Sequence, residues 1–447
     1  MLTTDLLRSL KSPSLNASTG SSSMQRRARH AGIFRQVLIT TVVLCGCSFA
    51  LAEPLPTSAP EQVNLSTERL SAIGDSLEGI IDEGQLQGSV TLVARHGKLA
   101  YQHVYGTLDI ETDTPLQPDS LFRIYSMTKP IVTVAAMQLY EQGKFQLTDP
   151  VSRYLPAFKN TRVLRDGKLV EPSTPITIQH LMTHTSGMVY DFLGRSEVVA
   201  MYQKENLRNA KDNAEFVERI AKLPLQQEPG SQWVYSFSVD VLGRLVEVIA
   251  GDSLGNVLHD TIFEPLGMEN TFFEVPGEKL YRFGTNHQFA ADGTLNIIDR
   301  PSDSAFVNKT TFESGGGGLV STAQDYLTFC QMMLNGGSIN GVQILSPKTV
   351  SYMTRDHLPG ILGNTSGVPN RPGFGFGLGF AVTTDPVAAG TISSAGEYYW
   401  SGVAGTLFWI DPAEDLIVIS MIQQRSSRVP LRNLLKQITY GAMLDAQ

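Results

Sequence analysis

From Ser66 onward the chain places Leu70, Ile73, Leu77, Ile80 and Ile81 at helical spacing, which predicts an amphipathic helix. The stretch that follows, SVTLVARHGKLAYQHVYG, reads as two strands around a turn at His96-Gly97, a β-hairpin. Beyond Ser126 the period changes. KPIVTVAAMQLYEQG, TIQHLMTH, NAEFVERIAKL, SVDVLGRLVEVIAG and NVLHDTIFEPLGM are all helical in pattern, and STAQDYLTFCQMMLNGG adds another helix after the glycines at 315–318. The chain then returns to strands in FGFGLGFAVT, YYWSGVAGTLFWID and EDLIVISMIQ, with Asp411-Pro412 marking a turn, before a last helix near PLRNLLKQITYGAML. An early hairpin and late strands predict an α/β chain of the α+β type. One antiparallel sheet is assembled from both chain ends and flanked by helices, with a mostly helical second domain beside it. The expected divisions are a leader at 1–52, a Pro-rich spacer at 53–64, a discontinuous sheet domain at 65–124 and 325–447, and the helical domain at 125–324.

Composition narrows the partners. With 42% hydrophobic and 17% charged residues, the 447-residue chain is globular in character. A net charge of −8 and the lack of basic clusters after Arg35 argue against nucleic acid. Arg26, Arg27, Arg29, His30 and Arg35 precede an apolar run at 37–52 that ends in Ala50-Leu51-Ala52, the pattern of a cleaved export signal, with Met24 an alternative start. The expectation is a periplasmic or secreted protein with no integral membrane span once the signal is removed. Leu44-Cys45-Gly46-Cys47 offers a lipoprotein alternative through Cys47. Two of the three cysteines fall in the leader, so Cys330 stands alone and a disulfide framework is excluded; in its helical apolar setting it reads as a small core residue.

The candidate chemistry begins at Ser126-Met127-Thr128-Lys129, an S-x-x-K arrangement. Ser126 is expected to open a helix whose first turn tolerates Pro130, placing its hydroxyl at the positive end of the helix dipole. Lys129, three residues on, shares that helix face and can exchange a proton with the hydroxyl. The apolar run IVTVAAM marks the helix as buried, where an unpaired lysine is costly. Tyr235-Ser236-Phe237-Ser238, at a loop-to-helix junction, offers a tyrosine able to act as base and then acid. Tyr399-Trp400-Ser401-Gly402-Val403 reads as a strand in which glycine permits close approach and the following N–H can face an oxyanion.

In this order the three motifs resemble the serine β-lactamase and penicillin-binding-protein superfamily, class C β-lactamases in fold and family VIII carboxylesterases most closely. Leu181-Met182-Thr183-His184-Thr185-Ser186-Gly187 and the stretches 235–247, 315–326 and 400–411 extend the likeness from about Leu65 to the C-terminus. The resemblance implies Ser126 as nucleophile, Lys129 and Tyr235 as its acid–base pair, and the backbone N–H groups of Ser126 and Val403 as an oxyanion hole. It implies no metal or other cofactor. The chain departs from the β-lactamase pattern at Trp400-Ser401-Gly402, where Lys-Thr-Gly would attract a substrate carboxylate. It departs again at Phe237, where an asparagine amide is usual and Ser238 is a partial substitute. Both changes put aromatic surface where polar contacts stood. Trp400, Ser401, Gly402, Phe237 and Tyr399 are therefore expected to bind substrate, with Trp233 and Tyr398 adding apolar wall. An ester of little charge fits that lining. The expected activity is a carboxylesterase acting through an acyl-enzyme on a small-molecule ester. The alternatives are a β-lactamase, D-amino-peptidase or acyltransferase of the same fold, or a non-catalytic penicillin-binding-type envelope protein.

Other matches are weaker. Gly251-Asp252-Ser253-Leu254-Gly255 fits a nucleophile elbow, but the helical period before it makes Gly251 a helix C-cap. His180 and His184 have the spacing of two zinc ligands, yet Leu181 stands where a glutamate belongs, and hydrogen bonding within the fold suits them better. The glycines at 315–318 lack the Lys-Ser/Thr of a phosphate loop and indicate tight turns or close backbone approach. Hydrolysis of a chromogenic ester is accordingly expected to be lost in Ser126→Ala and kept in Ser253→Ala.

Overall fold

The computed structural model describes residues 54–445 except 308–311, 364–367, 369–370 and 426–428. The leader expected at 1–52 lies outside the described residues, which fall in one compact unit. Among the described residues no helix is long and apolar enough to cross a membrane.

The centre is an eight-stranded sheet. Its strands are β1 (Gly88–Arg95), β2 (Lys98–Asp109), β3 (Thr114–Pro115), β4 (Phe374–Phe376), β5 (Ala381–Thr383), β6 (Tyr398–Ser401), β7 (Leu407–Asp411) and β8 (Leu416–Met421). They lie in the order β4-β5-β6-β7-β8-β1-β2-β3, every neighbour antiparallel. The β1–β2 hairpin turns through His96 and Gly97 at φ 53° and 69°, the left-handed pair that a tight two-residue turn requires. Early and late strands meet where β1 pairs with β8, Leu92 opposite Ile419. The sheet expected from both chain ends is thus present.

Alternation along the strands divides the core. Val90, Leu92, Phe408, Ile410, Ile417 and Ile419 face one way and join a large cluster with the helical region. Val93, Leu407, Trp409, Leu416 and Val418 face the other. That second face is covered by helix α1 (Thr67–Asp82), capped by Ser66, and by the C-terminal helix, residues 431–441. The first face carries helix α2 (Thr128–Glu141), helix α3 (Ser238–Ala250) and helix α4 (Ala323–Leu334), where Cys330 is fully buried and burial pushes its thiol up. With both faces covered, the central strands are buried along their length and mostly apolar, and the polar Thr91 and Ser420 among them bond to each other.

The segment read as a spacer is tied down. Leu55 and Val63 are buried, the Ser58 N–H donates to the Leu99 carbonyl at 3.0 Å, and Pro60–Val63 forms a 3-10 turn. Proline-rich composition hid an edge contact that two apolar side chains hold in place.

Behind β6, Lys436 of the C-terminal helix donates to Glu397 at 2.6 Å, and both side chains are almost wholly buried. The Tyr440 hydroxyl lies 3.1 Å from Glu397 and 2.6 Å from Asp411. Burial pushes the Glu397 carboxyl up and the Lys436 ammonium down, and the charge of each partner opposes both shifts. Removing one member strands the other charge away from water. Lys436→Met is expected to cost about 3–5 kcal/mol in urea unfolding, and Lys436→Met with Glu397→Gln to recover part of that loss.

Candidate active site

Ser126 does not open the α-helix itself. It sits on a single 3-10 turn, Tyr125–Met127, directly ahead of α2. Tyr125 enters that turn at φ 43°, a left-handed conformation unusual for a bulky side chain and characteristic of functional sites. The turn is anchored on both sides. The Ile124 N–H donates to the Leu319 carbonyl at 3.0 Å, the Leu319 N–H to Thr128 Oγ1 at 3.1 Å, and the Tyr326 hydroxyl to the Met127 carbonyl at 2.9 Å. Lys129, on the first turn of α2 with Pro130 beside it, is 1% exposed. Its Nζ donates to Ser126 Oγ at 3.1 Å and to the Gly316 carbonyl at 2.5 Å.

Tyr235 completes the cluster, its hydroxyl donating to Ser126 Oγ at 2.6 Å. The loop that carries it is held by the Thr183–Gly187 stretch. The Val234 N–H donates to the His184 carbonyl and the Gly230 N–H to the Thr185 carbonyl, both at 2.8 Å. Buried hydroxyls add a second tie, with Ser186 and Ser236 each 2.7 Å from Ser238. Ser238 is therefore spent on this network rather than standing in for the missing amide near Lys129. Aromatic rings surround Tyr235: His184 at 4.8 Å, Tyr190 at 5.0 Å, Trp400 at 5.3 Å and Trp233 at 6.3 Å between centroids. The Lys129 ammonium lies over the Tyr235 and Tyr190 rings at 4.7 and 5.3 Å, where their electron-rich faces favour a cation.

Two participants carry no motif of their own. Asp240, on the first turn of α3, is buried and accepts hydrogen bonds from the Ser314 hydroxyl and, at 3.1 Å, from the Gly316 N–H. It thereby orients the peptide whose carbonyl holds Lys129. Burial pushes the Asp240 carboxyl up, and the Lys129 charge pulls it back. Gly316 is glycine for a steric reason, since a Cβ there would come within 2.2 Å of Asp240 Oδ2. The signals in the sequence are an acid in an otherwise apolar helical pattern, and a glycine run with no phosphate-loop lysine.

The end of β6 forms another wall. A Cβ at Gly402 would fall 2.6 Å from the Ile124 carbonyl, so glycine lets this strand end approach the turn that carries Ser126. Thr406 Oγ1 is 3.4 Å from the same carbonyl. Val403 then lines the cavity that contains Ser126. Strand alternation separates the three aromatic residues of β6. Trp400 packs on Tyr235 and on Phe376, the latter at 5.3 Å, and flanks Tyr235 rather than the cavity. Tyr398 is buried in the core against Phe380. Tyr399 points to the opposite face, its ring 4.5 Å from the Arg432 guanidinium of the C-terminal helix. Tyr399, expected to bind substrate, therefore lies outside the cavity lining, because odd and even positions of a strand face opposite ways. Ser401 pairs with Leu407 in the sheet and also lies outside the cavity lining.

The cavity has a volume of about 660 Å³, ample for a small ester. Ser126 and Val403 line it, with Tyr125, Tyr190, Phe237 and Phe306 among the aromatic walls. Phe237 thus lies where a substrate contact was expected, packed 4.5 Å from Tyr190. Two guanidiniums, Arg208 and Arg425, also line the cavity, and no sequence motif marks either.

A serine hydroxyl shared by a buried lysine and a phenol, opening on an aromatic cavity beside an antiparallel sheet flanked by helices, fits the class of serine hydrolases. The chain belongs to the beta-lactamase family, whose sequence profile matches residues 73–440. It is 34% identical to esterase EstB of Burkholderia gladioli over 377 residues, 78% of this chain and 88% of that one. It is 28% identical to acyltransferase mokF of Monascus pilosus over 307 residues, 65% of this chain and 72% of that one. Among solved structures, EstCE1, described as a hydrolase with promiscuous acyltransferase activity, superimposes with a TM-score of 0.71 at 30% identity, over 85% of this chain and 98% of its own.

The competing motifs take structural roles. Ser253 caps the helix Leu254–Leu258 by accepting from the Asn256 N–H at 3.2 Å, and Gly251 ends α3 at φ 83°. Among the described residues neither His180 nor His184 belongs to a cluster able to hold a metal ion. His184 Nδ1 lies 3.3 Å from Ser236 Oγ. His180 closes a capping box, its Nδ1 accepting from the Thr177 N–H at 3.2 Å while its own N–H donates to Thr177 Oγ1. Burial pulls His180 down to about 4. Between that value and its ordinary 6.5, the folded protein binds fewer protons here than the unfolded chain. Stability is therefore full above pH 6.5 and falls as the pH drops toward 4. His180→Gln, which keeps a side-chain acceptor at the box, is expected to show a smaller drop in melting temperature across that window.

Proposed function

We propose that this protein is a carboxylesterase that works through an acyl-enzyme on Ser126. The observation that carries the reading is the convergence of Lys129 Nζ at 3.1 Å and the Tyr235 hydroxyl at 2.6 Å on one serine oxygen. In the acylation step the reacting form of the Lys129–Tyr235 pair lacks one proton, as amine with phenol or ammonium with phenolate; Ser126 Oγ gives its proton to that pair and bonds to the ester carbonyl carbon. The oxyanion that forms is received by the backbone N–H groups of Ser126 and Val403. Collapse breaks the carbon–oxygen bond to the alcohol, which leaves with the proton returned through Tyr235. Water then enters by the same path, transfers its proton to the pair, and releases the acid as Ser126 is reprotonated. Such a cycle uses groups present in this chain alone. Asp240 and Gly316 act as positioning residues, holding Lys129 Nζ where its proton exchange with Ser126 is direct.

Phe237 in the cavity wall, where the β-lactamase pattern has an amide, and Trp400 beside Tyr235, where it has a cation, support an ester over a β-lactam. Transfer of the acyl group to an alcohol is the second reading. It is favoured by the likeness to mokF and EstCE1, whose descriptions include acyltransferase activity, and by a cavity of about 660 Å³ with room for an acceptor.

The test compares p-nitrophenyl acetate, butyrate and octanoate with a chromogenic cephalosporin on wild type, Ser126→Ala, Lys129→Ala and Tyr235→Phe. Ester cleavage is expected to exceed cephalosporin turnover, to vanish in Ser126→Ala, and to fall on the order of a hundredfold or more in each of the other two variants. Efficient cephalosporin turnover with negligible ester cleavage reverses the substrate assignment. Near wild-type rates in Lys129→Ala or Tyr235→Phe refute the acid–base scheme.

A further inference from the structure

The two guanidiniums in the cavity differ in what holds them. Arg208 is committed to an ion pair with Asp191 and lies over the Phe192 and Phe237 rings. Arg425 is not committed in this way. It follows β8 in a two-residue strand, Gln424–Arg425, that runs parallel to residues 286–289 with Arg425 opposite Gln288. Among the described residues no carboxylate pairs with it, and its buried Nε–H meets no acceptor. The contrast with Arg123 nearby is direct, because that guanidinium is neutralised by Asp299 at 2.6 Å.

Arg425 is also held in place. Its guanidinium covers the Tyr125 ring at 5.4 Å. Tyr125 in turn receives a hydrogen bond from Asn286 Nδ2 at 2.8 Å and packs edge-on against Phe306 at 5.8 Å. Tyr125 immediately precedes Ser126, so the stack couples this cation to the nucleophile turn. A half-buried guanidinium that faces the cavity, with no carboxylate partner among the described residues, is complementary to an anion entering from outside. Its planar fork, with Nε–H unengaged, matches a carboxylate better than a point charge would.

We propose that the ester carries a carboxylate in addition to its scissile bond, and that Arg425 receives that carboxylate while Ser126 attacks the ester. This deepens the carboxylesterase reading and rests on it. Arg425 touches the remote end of the substrate and acts as a specificity determinant.

The test reads ratios within each variant, so a general loss of activity cancels. Mono-p-nitrophenyl adipate is compared with p-nitrophenyl hexanoate, which places the acid in the acyl half. Then 3-butyryloxybutanoate is compared with its methyl ester, which places it in the alcohol half. In Arg425→Met the ratio of acid to neutral kcat/KM is expected to fall at least tenfold for one of the pairs, mainly through KM, and Arg425→Lys to retain more of it. Both ratios staying within twofold of wild type overturn the proposal. Should Arg425→Met fail to fold, wild type alone decides. Adipate is expected to protect Ser126 from a fluorophosphonate at concentrations at least tenfold below those of dimethyl adipate, and equal protection overturns the assignment. Esters cleaved through Ser126 with unmoved ratios remove only the carboxylate; no ester cleavage at all removes the esterase reading and this one with it.

Discussion

One buried cation organises this molecule. The Lys129 ammonium is nearly removed from water, and its polar partners are the Ser126 hydroxyl and the Gly316 carbonyl. An ammonium left alone at such depth costs several kcal/mol, so the surrounding structure is built to compensate it. Asp240 supplies opposite charge and fixes the Gly316 peptide. The tyrosine faces supply further attraction. Each demand constrains a different element. The first turn of α3 must carry an acid, the loop before α4 must be glycine, and the Tyr235 loop must be pinned by the hydroxyls of its neighbours. The Ser126 turn, α2, α3 and the glycine run are thus one electrostatic unit rather than four adjacent pieces.

Much of this is legible from residue order, and the divisions follow physical lines. Periods of two and of 3.6 are written in the positions of apolar side chains, so the hairpin at His96-Gly97, the late strands and the capped helix from Ser66 can be read directly. Ser126 and Lys129 are legible because three residues on a helix bring two side chains onto one face, a relation local in sequence. The 3-10 turn under Ser126 is less so, since Tyr125 holds a positive φ only because Leu319 and Tyr326 grip the backbone beyond it. Asp240, Gly316 and Arg425 are hidden for the same reason. Their roles exist only across contacts that no local period records.

Tyr399 shows the reverse lesson. Alternation is itself a local rule, and applied strictly it separates Tyr399 from Tyr398 and Trp400 by parity alone. Grouping all three as one aromatic wall overlooks it. The strand instead divides its labour. Trp400 serves the Tyr235 side, while Tyr399 stacks on Arg432, whose Nη2 donates to the Trp400 carbonyl at 3.1 Å. The C-terminal helix thereby fixes the backbone just ahead of Gly402 and Val403 from behind the sheet, without entering the cavity.

The pairing of β1 with β8 has a kinetic meaning. Thr91 meets Ser420 across 329 residues of sequence, and loops of that span close late. A growing chain contains Ser126, Lys129 and Tyr235 long before it contains Val403 or Arg425. The wall that Val403 and Arg425 give to the Ser126 cavity is thus the last part of it to be synthesised. The strands that close the sheet also carry the segments that close the cavity, so the architecture makes the enclosure of Ser126 depend on the far end of the chain.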